Sequence, residues 1–334
     1  MQNQLLANQK PDEEKPSALY LVYVRNRLLN MIANFLSHSS PSLNQHMSEQ
    51  IVRVLGFDWT YCLLSPGVHS GTVFLALRIL LTLVSHPQLL AKFREGSASG
   101  GWLTDADSVV RNRAAVVLGF SVSVHGGAVG SKIDINPELQ NCAGFAALEH
   151  LMAAHADKPH AYLAMLAILV GQPVKDLRFC ENFNVDQIWT HVFGLALNSS
   201  VYEAIRSAEF CYDALIPLLA MVRSCIYSGN ETLQGWHIDY PSAVVQMITF
   251  LYQNSPNFFA IAHSEEFVLA MFSSLIQDTN AMGVKSETAD KNVVGTPELE
   301  KMQEVLALPS ARAVLDFMKK LFCDDFQVAS GSRV

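Results

Sequence analysis

The stretch Pro159-His-Ala-Tyr-Leu-Ala-Met-Leu-Ala-Ile-Leu-Val170, followed by Gly171 and Pro173, decides how this chain folds. From 161 to 170 it is apolar all round, with none of the polar positions that a surface helix turns to water. Residues 73–84 have nearly the same character, broken by Arg78 and flanked by polar residues. Pro159 just inside the start and Gly171 just past the end punctuate a helix. Two helices without a polar face need apolar neighbours on every side, so both belong at the centre of a stack.

Working outward, apolar residues recur at helical spacing on either side of these segments. Leu21, Val24, Leu28, Met31, Ile32 and Phe35 form a stripe predicted to face the core, with Arg25, Arg27, Asn30 and Asn34 elsewhere. Ser42 with Gln45 reads as a capping box ahead of Leu43, Met47, Ile51, Val54 and Leu55, and Gly56 supplies the stop. Ser200 with Glu203 opens a periodic stretch through Ile226 that Pro217 is expected to kink or divide. Asp239 with Pro241 starts a helix to Tyr252, and Ser264 with Glu265 and Glu266 starts another to Ile276. Thr296-Pro297 and Ser310 start the last two.

About a dozen amphipathic helices with short polar connections predict an all-α fold, an α-solenoid of armadillo or HEAT type, although no repeat of ~40 residues is visible. The expected layout is a polar tail over 1–16, an armadillo-like helical region over 17–276, a flexible linker over 277–295, terminal helices over 296–325 and a tail over 326–334. Residues 119–141, rich in Gly and Ser, read as an excursion loop with a strand-like piece at 120–124 too brief to define a sheet.

Charged residues are 16% of the chain, well below the usual ~25%, which suits an elongated stack of buried helices. The net charge is -8 and the 23 Lys and Arg are scattered, so no basic stripe offers itself to phosphates and nucleic acid is excluded as an expected partner. Cys62, Cys142, Cys180, Cys211, Cys225 and Cys323 never form a C-x-x-C pair, which predicts reduced thiols in a cytoplasmic protein, with neither disulfides nor zinc. The N-terminal residues lack the apolar core of a secretory signal, and no apolar run reaches the ~20 residues that span a bilayer, so no direct membrane insertion is expected.

Motifs that would carry chemistry are absent or incomplete. His125-Gly-Gly-Ala-Val-Gly-Ser-Lys132 misses the spacing of a phosphate loop and opens no helix, so it reads as a loop. Gly96-Ser-Ala-Ser-Gly-Gly101 reads as a helix stop and connection. Among eleven histidines no H-E-x-x-H occurs, and His155-Ala-Asp-Lys-Pro-His160 reads as a polar turn at a helix junction. No Ser stands in G-x-S-x-G, and Cys211 and Cys225 lie in apolar helical sequence as core thiols. No catalytic, metal or cofactor residue is therefore assigned. One interaction candidate remains: Trp189-Thr-His-Val192, with Asp186 upstream, matches the aromatic-x-x-aliphatic pattern that engages autophagy modifier proteins. Its apolar neighbours Val185, Ile188 and Phe193 favour core packing for the same residues.

Leu55-Gly-Phe-Asp-Trp59, Ala76-Leu-Arg-Ile-Leu80, Lys92-Phe-Arg-Glu-Gly96, Gly100-Gly-Trp-Leu103, Asp107-Ser-Val109, Val117-Leu-Gly-Phe120 and Ile188-Trp189 resemble the armadillo-like region of ALFY-type WD-repeat and FYVE-domain proteins of the BEACH family. The resemblance covers roughly residues 20 to 325, more specifically between Leu55 and Phe120, and at the level of pattern beyond Ser200. It implies a segment of a very large cytoplasmic scaffold in selective autophagy of aggregates or membrane traffic. Such a segment would contact protein partners and the rest of its own long chain. The PH-like, BEACH, WD40 and FYVE modules of that family are not in this sequence, and no site residue carries over. The expected function is thus a non-catalytic scaffold segment, weighed against a small hydrolase or transferase with an unrecognised site. At the C-terminal end, Val314, Leu315, Phe317, Met318, Leu321 and Phe322 form a broad apolar surface expected to stay partly open and to drive self-association. The linker over 277–295 lacks large apolar residues to offset ordering entropy. Limited trypsin digestion should therefore cut first at Lys285 or Lys291; first cuts within 73–84 or 161–170 would reverse the assignment of linker and core.

Overall fold

The computed structural model describes residues 17–38, 41–95, 122–124, 131–133, 144–171, 177, 179–181, 183–227, 239–275 and 305–331. In chain order its helices are α1 (Ala18–His38), α2 (Pro41–Leu55), α3 (Asp58–Cys62), α4 (Ser70–Val84), α5 (Pro87–Glu95), α6 (Gly144–Met152), α7 (Pro159–Val170), α8 (Val185–Phe193), α9 (Ser199–Ser207), α10 (Leu215–Tyr227), α11 (Asp239–Asn254), α12 (Pro256–Ala262), α13 (Glu265–Ser273) and α14 (Pro309–Gly331), with 3-10 turns at Ala153–His155 and Tyr212–Ala214. The predicted helical class holds, with one exception. Two short strands, β1 (Val122–Val124) and β2 (Ser131–Ile133), pair antiparallel with Val122 opposite Ile133, where an excursion loop was expected. Strand β1 falls within the strand-like piece expected at 120–124, and three residues a side are too few for alternation alone to define the sheet.

All twelve residues of α7 are buried. Pro159 sits in the first turn, where a missing N–H costs nothing, and Gly171 closes the helix at φ 67°. A Cβ on Gly171 would stand 2.8 Å from the Glu209 carbonyl oxygen, so glycine is needed both for the turn and for the passing chain. The other apolar segment is α4, buried along most of its length. The main packing advances along the chain: α1 rests on α4, α4 on α7, α6 and α7 on α10, α10 on α13 and α14, and α11 on α14.

Helix ends follow local chemistry, at places one or two residues from those expected. Ser264 caps α13, its Oγ accepting from the Phe267 N–H. Asn198, not Ser200, caps α9 by accepting from Val201, because an Asn side chain serves the first free N–H as well as Ser does. Ser42 lies inside α2, which begins at Pro41, and Gly56 ends that helix with φ 73°. The stretch expected to run to Ile226 divides after Ser207, and Pro217 falls in the first turn of α10, where it is tolerated. Ser310 lies one residue inside α14, which runs on to Gly331 through residues expected as tail.

Two apolar faces are disposed differently from the expectation. On α1, Leu21, Met31 and Phe35 are each more than half exposed, and Leu29, Ala33 and Leu36 are buried instead. The polar side explains the rotation: Arg25 Nη2 donates to Thr72 Oγ1 at 3.2 Å, which donates to Asn26 Oδ1 at 2.7 Å. Pairing these groups against buried Thr72 turns that side of α1 toward α4. At the other end, Val314, Phe317, Met318 and Leu321 are buried, and the Phe317 ring meets those of Tyr252 and Phe267. The broad open surface expected there reduces chiefly to Phe322 and half-buried Leu315. The 1–16 tail, the 277–295 linker, Thr296 and Pro297 lie outside the described residues, as does most of 119–141.

Gly144 opens α6 where a Cβ would come 2.5 Å from the Phe93 carbonyl oxygen and 2.7 Å from its ring. Gly144→Ala should therefore lower stability by roughly 2 kcal/mol, through forced separation of α5 and α6. A urea titration followed by helical circular dichroism checks this; an unchanged midpoint would mean that the two helices do not approach so closely.

Candidate functional site

Besides the Arg25–Thr72–Asn26 network, three polar constellations stand out among the described residues, the first and third of them buried. The first lies at the start of α7. His155 Nε2 meets the Leu64 carbonyl oxygen at 2.6 Å. His160 is 1% exposed and neither ring nitrogen has a partner, the ring lying 5.7 Å from Phe74 and 5.2 Å from Phe179 between centroids. Burial first, then the positive charge of Lys158 and the neighbouring His155, hold His160 down at about 4, against the opposing pull of Asp157. Burial also lowers His155, partly offset by its bond to Leu64. Both rings are neutral at pH 7, and His155 then donates from Nε2 to the carbonyl. The polar turn expected at 155–160 is in fact a buried histidine pair. Nothing in its local sequence distinguishes it from an exposed turn.

The second constellation ties α5 to the 3-10 turn before α10. Arg94 Nε reaches Asp213 Oδ2 at 2.6 Å and Nη2 reaches Cys211 Sγ at 3.3 Å, while the Cys211 N–H donates to the Leu169 carbonyl at 2.9 Å. Residues 119 apart in sequence are thereby held together, which no spacing rule reveals. In the third, the Tyr162 hydroxyl donates to the Ala156 carbonyl at 2.9 Å and stands 3.2 Å from Cys225 Sγ. Burial raises the Cys211 and Cys225 thiols, and pushes Cys180 up to about 11. A nucleophilic cysteine needs the thiolate, and these three environments favour the thiol. Tyr162 is likewise held well above the usual phenol range by burial.

Trp189 and Val192 are brought together, but inside. They are 2% and 3% exposed, and the Trp189 ring packs 4.6 Å from Phe250 and 6.2 Å from Phe193. An aromatic-x-x-aliphatic motif inserts both side chains into a partner's pockets, so in this fold the pair is part of the core and is unavailable to a modifier protein. Helix α8 is held in place by a capping box in which Asn184 accepts from Gln187 and the Gln187 side chain accepts from the Asn184 N–H. Phe57 and Trp59 of the 55–59 stretch are also fully buried: Trp59 Nε1 donates to the Gly56 carbonyl, and Phe57 meets Phe93, which meets Phe145. Among the described residues no three His, Cys, Asp or Glu side chains converge as metal ligands, and no single helix is long and apolar enough to cross a membrane.

What emerges is a predominantly helical chain whose most distinctive residues serve packing. Its sequence is similar to the WD repeat- and FYVE domain-containing proteins: it is 26% identical over 249 residues to WD repeat- and FYVE domain-containing protein 4 of Mus musculus, and 24% identical over 243 residues to the same protein of Homo sapiens. Each match covers 70% of this chain and 7% of the relative, so the similarity concerns a small part of much longer proteins. The resemblance to WD repeat- and FYVE domain-containing proteins read from the sequence is thus borne out. No family model and no solved structure matches the chain.

The histidine pair has a measurable consequence. His160 titrates near 6.5 when unfolded and about 4 when folded, so its contribution is fully present above pH 6.5 and is lost as pH falls from 6.5 toward 4. The depression corresponds to roughly 3 kcal/mol. His160→Phe should flatten the fall in urea stability over that window; a variant with the same pH slope as the original would show that His160 is not held neutral.

Proposed function

We propose that the chain is a non-catalytic scaffold segment, an α-solenoid of armadillo or HEAT type that presents its surface to protein partners. The observation that carries this reading is the advance of packing from α1 through α4, α7 and α10 to α14, in which each layer rests mainly on its neighbours, as in quasi-one-dimensional repeat folds. Two spine helices, α4 and α7, support the same arrangement by being apolar on nearly every side. The polar groups that could have served catalysis are instead spent on structure: His155 on the Leu64 carbonyl, Tyr162 on Ala156 and Cys211 beside Arg94.

The similarity to WD repeat- and FYVE domain-containing proteins supports placing the segment within a large cytoplasmic protein of the BEACH family. Selective autophagy of aggregates or related membrane traffic is the process this resemblance favours. Its partners are then proteins and other parts of the same long polypeptide, and no cofactor is required.

Small-angle X-ray scattering tests the arrangement, since a compact chain of this length has a radius of gyration of about 20 Å and a one-directional stack should exceed it. A value at or below that figure would count against the solenoid. Hydrolysis or group transfer by the purified chain, abolished by Cys211→Ala or His160→Phe, would overturn the non-catalytic reading.

A further inference from the structure

The first and last layers of the helical succession each expose an apolar face. On α1, residues 19, 23, 27, 31 and 35 lie along one i, i+4 ridge, with Leu19 76%, Tyr23 59% and Met31 65% exposed and Arg27 among them. On the last layer, Leu269 and Phe272 of α13 are 58% and 41% exposed beside Phe322 of α14 at 44%, with the Phe272 and Phe322 rings 6.2 Å apart. Arg27 on the first face and Glu265 with Glu266 at the start of the second are opposite in sign. Helix α1 contains no acidic residue, and of its two arginines Arg25 turns inward to Thr72 while Arg27 stays exposed. Exposed Glu265 and Glu266 open α13 one turn before Leu269, while on α14 Asp316 pairs with Lys319, and Arg312 and Lys320 add positive charge elsewhere along that helix.

We propose that the α1 ridge of one molecule docks on the α13–α14 face of a second copy, a head-to-tail contact that continues the succession of helices from one chain into the next. An i±4n ridge is the element that enters the groove between two packed helices, and here Arg27 arrives beside Glu265 and Glu266. Pairing two α1 ridges with each other instead brings Arg27 against Arg27 with no acid on either helix, which disfavours a symmetric dimer. A head-to-tail contact is heterologous and does not close by itself, so assembly proceeds through dimers to longer species. Helix α1 is about 32 Å long, and one face of it supplies well under the ~800 Å² per partner of a stable interface. The association is therefore weak, with a dissociation constant on the order of tens to hundreds of micromolar. This inference requires only the two exposed faces and not the scaffold role proposed above.

Sedimentation velocity of the whole chain from about 10 to 500 µM, a range bracketing such affinities, decides it. The unaltered chain should shift toward dimers and longer species as concentration rises. Met31→Glu removes the ridge and Leu269→Glu removes the receiving face, so each variant alone should remain monomeric. Their equimolar mixture should form a dimer and nothing longer, because one intact ridge and one intact face survive between them. Both sites are exposed, and helical circular dichroism confirms folding; Tyr23→Glu and Phe322→Glu replace them if either melts early. A monomer at every concentration overturns the proposal, as does a dimer abolished by Met31→Glu but untouched by Leu269→Glu, the behaviour of a symmetric α1 pair.

Discussion

A helix with no polar face has to be surrounded, and the rest of this structure follows from meeting that requirement for α7. Every side chain from Pro159 to Val170 is buried, each large one worth roughly 1.5 to 3 kcal/mol when removed from water. Helix α4 covers one side, α8 and α10 others, and the segment before Cys211 crosses the C-terminal end through the backbone bond to Leu169. Because α4 and α10 are themselves broadly apolar, each needs a further layer, and the packing moves outward until α1 and α14 are reached. The two glycines at close crossings, Gly144 and Gly171, permit this density by leaving room for a neighbouring carbonyl.

Polar groups within the stack are few, and they act between elements distant in sequence. Arg94 joins α5 to Cys211 and Asp213, Tyr162 joins α7 to α10 through Cys225, and Arg25 with Asn26 joins α1 to α4 through Thr72. Each such bond fixes the rotation or register of a helix whose apolar surface would accept several. Among the described residues His160 departs from this pattern, buried between Phe74 and Phe179 with no bond to offset its desolvation, and so it is neutral at the cost of being a liability in acid.

The chain therefore places its chemistry-bearing residues inside and its contacts outside. Trp189 illustrates the point: by composition it fits an interaction motif, and by position it anchors α8 on Phe250 of α11. Among the outward faces of the described residues are the apolar ridges of α1 and of α13 with α14, where Arg27 on one and Glu265 with Glu266 on the other differ in sign.

Much of the helical order was legible in the residues themselves. Periodicity placed the helices, Pro159 and Gly171 bounded α7, Ser264 capped α13 and Gly56 stopped α2, because caps and breakers act through bonds to the nearest few residues. The candidate site was less legible. Whether α1 turned Leu29 or Leu21 inward could not be read from a helix apolar on both sides, since the choice was made by Thr72, 46 residues from Asn26. Nor could the burial of His155 and His160, the closing of Arg94 on Asp213, or the covering of Val314 and Phe317 by distant helices. Local sequence determines where helices start, stop and become apolar. Which face each one buries is settled only by the long-range packing of whole surfaces, where many weak contacts and a few polar bonds compete.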